Sequence, residues 1–366
     1  MKKIIFFFGV LVCALTLSAK ETIKIGVIFP LSGPMAQNGE DCRDAVLMRL
    51  NEQKTKDAKF NYQAIFEDDQ CQPRQTVEAF WKLKAIDHVD MVMSLYSSPS
   101  AALAPIANYN KVLHIGEGFG SRITIRPYSF NNFSKGDSIA LKSVELCQAM
   151  GYKRVAMLNV MFASTPAQEK YFAQYAPSHG LEIVSIQHFN MPEKDFRVAI
   201  LKIREAKPDV LIIQAFDPEA SIIRRQMKEI AFNVPITAMC MWGNFLEPDY
   251  FGYPYVEPAA STDFTQKFAK IYKHDGVYFS GMAYDSVGMF IDACEQYTGP
   301  GKPPIDFLSK QLISLKDYPG VMGKLTPDAD GWFDYPPAIV VQTPQGRKEI
   351  TMEEAVKMAK EKDARK

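Results

Sequence analysis

The chain has 366 residues, 47% of them hydrophobic, with 42 Lys plus Arg against 42 Asp plus Glu. That balance belongs to a folded globular protein rather than a disordered one. It also lacks the basic excess of a nucleic-acid binder, so no nucleic-acid partner is expected. At about 150 residues per domain the length allows two or three domains.

Lys2 and Lys3 open the chain, an apolar run from Ile4 to Leu17 follows, and Leu17-Ser18-Ala19 ends it. A basic start, a short apolar stretch and small residues form a cleavable export signal, here residues 1–19. The run is too short to span a membrane, which takes about 20 apolar residues. Val12 before Cys13 argues against lipid attachment. The mature protein is then exported, soluble and slightly acidic. Of the 6 cysteines, Cys42, Cys71, Cys147, Cys240 and Cys294 survive cleavage. Their odd number leaves at least one without a partner in the chain. An oxidising compartment permits one or two disulfides. No CxxC occurs, so neither a redox motif nor a zinc ribbon is indicated.

Apolar runs at Ile23 to Phe29, Val89 to Leu95, Val155 to Leu158, Val210 to Ala215 and Ala338 to Val341 read as parallel strands buried on both faces. Gly39 to Gln53 reads as a helix with Val46, Leu47 and Leu50 inward. Arg74 to Ala85 reads as another, with Val77, Phe80, Trp81 and Leu83 inward. Thr165-Pro166-Ala167-Gln168 and Thr351 to Glu354 have the form of capping boxes, and Asp217-Pro218-Glu219 starts a further helix. This alternation, sustained over roughly 300 residues, predicts an α/β fold of doubly wound parallel sheets. The pattern restarts near Gly151, which suggests two lobes. Ligands of such sheets bind beyond the carboxyl ends of the strands, so the cleft between lobes is the expected site.

The loops at those strand ends are Pro30 to Pro34, Glu67 to Pro73, Ser97-Ser98-Pro99-Ser100 and Gly116 to Ser121. Hydroxyls and free N–H groups at helix starts suit an anion such as a carboxylate. The Gly116 loop is GxGxG, not the dinucleotide GxGxxG.

In this order the chain resembles the type I periplasmic solute-binding proteins of the leucine/isoleucine/valine-binding family. The resemblance is carried by Ile23-Lys24-Ile25-Gly26-Val27 running into Leu31-Ser32-Gly33-Pro34, by Asp68-Asp69 before Cys71 and Pro73, and by Ser97-Ser98. It continues through Glu193 to Phe196, Pro208-Asp209-Val210, Phe216 to Glu219, Ala283-Tyr284-Asp285 and Asp330-Gly331. It implies two Rossmann-like lobes with parallel-sheet cores, joined by three crossovers and closing on a small ligand. Lobe one would hold residues 20–133 and 258–333, and lobe two residues 134–257 and 334–366. It further implies a periplasmic location and docking on a membrane ABC permease. A ligand-sensing subunit for a membrane receptor is the alternative. A monomer without a cofactor is expected.

By the same resemblance, Ser97 and Ser98 hold the ligand carboxylate, with Gly118, Phe119, Gly120 and Ser121 as the second loop. Phe216 matches the aromatic of lobe two. Phe162 to Thr165 stands where a tyrosine is usual. Trp242 stands where branched-chain binders place a glutamate against the ligand ammonium. Losing that acid removes the reason to select an α-amino group. With Phe279 and Tyr96, the set suggests an aromatic-lined pocket for an amino acid or an aromatic or apolar organic acid. The family disulfide would join the Cys71 position to that of Tyr96 and cannot form here. Cys42 is the replacement partner expected for Cys71.

No GxSxG, HExxH or P-loop is present, and His88, His114, His179, His188 and His274 lack metal spacing. Asp68 and Asp69 are adjacent and point oppositely on an extended chain, which argues against paired catalytic carboxylates. A non-enzyme without a metal is expected.

Overall fold

The computed structural model describes residues 20–240, 248–276 and 278–363. The export signal and Trp242 therefore lie outside the described residues.

The first lobe is laid down as β1 (Thr22–Phe29), α1 (Ala36–Lys54), β2 (Asn61–Asp68), α2 (Pro73–Lys82), β3 (Met91–Leu95), α3 (Ser97–Tyr109), β4 (Leu113–Glu117) and β5 (Ser129–Asn132). The chain then passes to the second lobe. That lobe comprises α4 (Gly136–Ala149), β6 (Arg154–Val160), α5 (Thr165–Tyr175), β7 (Glu182–Phe189), α6 (Arg197–Glu205), β8 (Val210–Gln214), α7 (Glu219–Glu229), β9 (Ile236–Thr237) and β10 (Pro254–Glu257). It returns with α8 (Thr262–Tyr272), α9 (Tyr278–Glu295), α10 (Ile305–Ile313), β11 (Tyr318–Gly320), β12 (Gly323–Pro327) and β13 (Trp332–Asp334). It crosses a third time into β14 (Ala338–Thr343), β15 (Gly346–Ile350) and α11 (Met352–Asp363).

The first sheet has the order β11-β12-β13-β5-β4-β3-β1-β2, and the strands from β13 to β2 run parallel. The second has the parallel order β7-β6-β8-β9. Two Rossmann-like lobes thus share three passages of chain. The parallel core strands are fully buried apolar runs, as a sheet covered on both faces requires. The Ala338 run departs from expectation. It forms β14 of an antiparallel sheet, β10-β14-β15, because a short hairpin at Gly346 turns it back on itself.

Close approach fixes one glycine at the start of α1. A Cβ on Gly39 would lie 2.0 Å from the Pro30 carbonyl oxygen, so any side chain would push the helix off the β1 loop. Val46 and Leu50 face inward from α1 as expected, but Leu47 is 37% exposed, and Trp81 on α2 is 45% exposed. Trp81 instead packs its ring under Lys84, an amphipathic cover the apolar spacing does not reveal.

Thr351 and Glu354 do form a reciprocal capping box, with Thr351 N–H donating to Glu354 and Glu354 N–H to Thr351 Oγ1. Asp217 accepts from the N–H and hydroxyl of Ser221 and so caps α7. Thr165 does not act as a cap: α5 starts there without a side-chain cap, and its hydroxyl has no partner among the described residues. Asp68 and Asp69 serve different loops. Asp68 accepts from Leu31 and Ser32, Asp69 from Cys71 N–H and the Thr76 hydroxyl.

The second passage between lobes ends in a buried ion pair. Arg347 Nη1 lies 2.9 Å from Glu257 Oε1, the two side chains being 9% and 0% exposed. The Tyr255 hydroxyl donates to the same oxygen, while Glu257 Oε2 has no partner among the described residues.

Cys42 and Cys71 are both free thiols, so the expected disulfide is not formed. Cys42 is wholly buried in α1, whereas Cys71 sits in a left-handed turn after β2 (φ 59°). The Tyr96 phenol is anchored by the Asn38 amide at 2.6 Å. Burial pushes the Cys71 thiol up to about 12, which keeps it protonated and slow to oxidise. Protein unfolded without reductant is expected to take up alkyl label at all five of these cysteines. A product two labels short would restore the bond.

Candidate functional site

The cleft between the lobes is narrow and is lined by Tyr96, Ser97, Gly118, Phe119, Phe162, Ser164, Phe216, Tyr278 and Phe279. All but Tyr278 and Phe279 come from a carboxyl strand end or the helix start that follows it. Tyr96 and Ser97 follow β3, Gly118 and Phe119 follow β4, Phe162 and Ser164 follow β6, and Phe216 follows β8. Tyr278 and Phe279 open α9.

The polar side belongs to lobe one. Ser97 begins α3, where the first N–H groups have no helical acceptor. The Phe119 N–H donates to Ser97 Oγ at 2.9 Å, which ties the serine loop to the glycine loop and leaves the Ser97 proton free to donate. Gly118 is clamped by Asn131, whose Oδ1 accepts from its N–H (3.3 Å) and whose Nδ2 donates to its carbonyl (2.8 Å). A Cβ on Gly118 would fall 2.7 Å from Ser97 N and 2.8 Å from Ser97 Cα. The two loops therefore meet backbone to backbone. Tyr96, just before α3, holds φ 71° and ψ 154°, a conformation uncommon for a non-glycine residue. Such strain gathers at sites the rest of the fold holds in place.

The apolar side is a run of ring contacts. Phe216 meets Phe162 edge-on at 5.5 Å, Phe162 meets Tyr96 at 5.8 Å, and Tyr96 meets Phe279 at 5.2 Å. Phe279 continues to Phe133 at 5.6 Å, and Phe133 to Phe119 at 4.3 Å. The run passes from lobe two to lobe one without a break.

Of the residues expected at the site, Ser97, Gly118, Phe119, Phe216, Phe279 and Tyr96 come together in the cleft. Ser98 does not line it: its side chain points outward from the first turn of α3 and is exposed. Gly120 is exposed at the tip of its loop (φ 121°) and does not line it either. Ser121 opens a short 3-10 turn, and its side chain is outside the described groups. Phe162, Ser164 and Tyr278 are additions. Phe162 and Ser164 fall in the Phe162 to Thr165 stretch that stands where a tyrosine is usual, and Tyr278 precedes Phe279.

Burial shifts the titratable groups near the cleft toward their neutral forms. Glu117, before Gly118, accepts from the Ser286 hydroxyl at 2.9 Å, and burial pushes its carboxyl well above the usual range. His114 lies between the Ser94 and Ser129 hydroxyls at 2.7 and 2.6 Å, and burial lowers it to about 3, so it is a neutral structural histidine. Asp285 is raised to about 7 by burial and accepts from the N–H groups of Val321 and Met322. Among the described residues no cluster of side chains is arranged to hold a metal ion.

A two-lobed fold with a polar helix-start loop facing rings across a cleft has the form of a binding protein for a small solute. The chain belongs to the periplasmic binding protein family, whose sequence model matches residues 22–334. That family is one of binding proteins, and this chain is not an enzyme. It is similar to the Leu/Ile/Val-binding protein BraC3 of Rhizobium johnstonii, 24% identical over 224 residues, or 60% of this chain. The aligned part spans 61% of that relative's length. Among solved structures it resembles a solute-binding protein of an ABC transporter from Rhodopseudomonas palustris BisB5 in complex with 3,4-dihydroxybenzoic acid. That match has TM-score 0.80 and 19% identity, covering 90% of this chain and 96% of the other. It also resembles the branched-chain amino acid transporter substrate-binding protein LivJ of Streptococcus pneumoniae in complex with isoleucine, with TM-score 0.78 and 18% identity. The match covers 90% of this chain and 99% of the other.

Proposed function

We propose that this chain is the extracytoplasmic solute-binding subunit of an ABC importer. It captures a small carboxylate with an aromatic or apolar body by closure of the two lobes. The observation that carries this reading is the division of the cleft: helix-start N–H groups and the Ser97 hydroxyl on one side, rings from both lobes on the other. The polar side suits a carboxylate, and the rings suit the body. The isoleucine and dihydroxybenzoate bound by the two structural neighbours are both carboxylates of this size. No acidic side chain lines the cleft among the described residues, which disfavours a buried ammonium and shifts the expectation toward organic acids. Further parts of the proposal are export by cleavage after Ala19, a periplasmic location, lobe boundaries near residues 133, 258 and 333, and a monomer that docks on a membrane permease.

A thermal-shift panel tests the ligand. Branched-chain and aromatic amino acids are compared with their deaminated acids and with benzoate, each at high concentration. A ligand at a hundredfold excess over its Kd adds about 2.7 kcal/mol of stability. The expected result is stabilisation by the deaminated aromatic acids and benzoate, with little from the amino acids. Stabilisation by leucine or valine above all others would replace the organic acid with an amino acid.

A further inference from the structure

Lobe two carries a polar set just behind the rings of the cleft. Asn159 on β6 and Gln214 on β8 are register partners, so their side chains leave the same face of the sheet. α5 packs on that face. Gln214 Nε2 donates to Gln168 Oε1 at 2.6 Å, and Asn159 Nδ2 donates to Glu169 at 2.9 Å. Asn159, Gln168 and Gln214 are fully buried and Thr165 is 1% exposed. Each nonetheless keeps a polar atom with no partner among the described residues: Asn159 Oδ1, Thr165 Oγ1, Gln168 Nε2 and Gln214 Oε1. The Gln214 amide cannot simply be turned over to cure this, because its Nε2 also donates to the Met239 carbonyl at 3.1 Å.

Buried polar atoms are almost always bonded, and four unbonded ones around one strand pair call for an occupant. The position suits a ligand. Asn159 and Gln214 stand at the carboxyl ends of their strands, and the chain runs on from them directly into Phe162, Ser164 and Phe216, all of which line the cleft.

We propose that Gln168 and Gln214, with Thr165 and Asn159, read a hydroxyl group on the ring of a bound aromatic acid. This rests on the organic-acid reading above. A phenolic hydroxyl donates one bond and accepts another, and Gln214 Oε1 and Gln168 Nε2 supply the complementary acceptor and donor. Thr165 Oγ1 and Asn159 Oδ1, the other two atoms without a partner among the described residues, would serve a second hydroxyl. A primary ammonium offers donors only, so it would leave Gln168 Nε2 unbonded. The Glu169 carboxylate is already engaged by Asn159 and His188.

The test is calorimetric titration of the wild-type protein with benzoate, 4-hydroxybenzoate and 3,4-dihydroxybenzoate. The hydroxylated acids are expected to bind about tenfold tighter than benzoate, or more, since one well-placed hydrogen bond carries that much. Gln214→Leu and Gln168→Leu are expected to abolish that preference while keeping the Kd for benzoate. Thr165→Val, a change of similar volume, is expected to weaken only the dihydroxy acid. Equal affinity of the wild type for all three acids overturns the hydroxyl-reading inference and leaves the organic-acid reading standing. A preference that survives both Gln replacements also overturns it. Failure of all three acids to bind overturns both. The wild-type comparison decides the matter even where a variant does not fold.

Discussion

Arg347→Met is expected to destabilise the protein by about 3–5 kcal/mol at neutral pH, the usual cost of leaving one member of a buried ion pair alone. Its partner Glu257 is wholly buried, and burial already raises its carboxyl above the usual range even with the guanidinium beside it. Without Arg347 the carboxyl rises further. A buried acid raised in this way costs nothing below its unfolded pKa of about 4.3, and costs more as pH climbs toward its folded value. The deficit of the variant is therefore expected to be largest at pH 7 and above, and to shrink toward pH 5. Urea unfolding of wild type and variant at both pH values measures this. A second change, Glu257→Gln, is expected to recover part of the loss at pH 7 by removing the charge. A deficit below about 1 kcal/mol, or one indifferent to pH, would show that the pair is hydrated and weak.

Gly118→Ala is expected to weaken ligand binding by about 2 kcal/mol or more, the scale of a central contact. The new methyl would lie within 2.8 Å of Ser97 N and Cα. These are backbone atoms, so no side chain can swing away, and the serine loop itself must retreat. Asn131 resists retreat from the other side, since it bonds both the N–H and the carbonyl of Gly118. The Ser97 hydroxyl and the α3 N–H groups would then miss the carboxylate. Titration with the acid that gives the largest thermal shift measures the loss. Ser98→Ala is the control, because that side chain is exposed and its N–H survives the change. Unchanged affinity in Gly118→Ala would remove the serine loop from the site.

The fold was largely legible because the central parallel strands β1, β3, β6 and β8 are short, buried, mostly apolar runs with helices between them, whereas the edge strands β2 and β7 are half-exposed and carry no such run. The Ala338 run shows where the pattern stops. Its burial resembles that of a parallel strand, but it pairs antiparallel on both sides, with β10 and, through the hairpin at Gly346, with β15. Trp81 and Leu47 failed for a related reason: apolar spacing gives a helical face but does not say how far the neighbouring layer covers it. In the site, the hydroxyl and glycine residues after β3 and β4 stood out by type and position. Ser98 did too, but adjacent residues on a helix point in different directions, and only Ser97 turns into the cleft. The Cys42–Cys71 bond was inferred from neighbouring strand ends, a coarser measure than the placement a disulfide demands. Asn159 and Gln214 gave no signal and Gln168 only that of a capping box, since single amides become a set only once the sheet register pairs them.

Tyr96 and Phe162 stand on different lobes, yet their rings meet edge-on. Drawing the lobes apart separates those rings, and an aromatic pair of this kind is worth about 0.5–1.5 kcal/mol beyond the area it covers. At about 1.4 kcal/mol per factor of ten, that sum changes the ratio of shut to open molecules several-fold before any solute arrives. On the proposed closure of the lobes, measured affinity is a product of two equilibria, one of them the opening and shutting of the lobes themselves. A substitution at Phe162, which also lines the cleft, would shift this equilibrium for every ligand in addition to changing the direct ring contacts, and a permease that engages only the shut form would meet solute-free copies in proportion to this one contact.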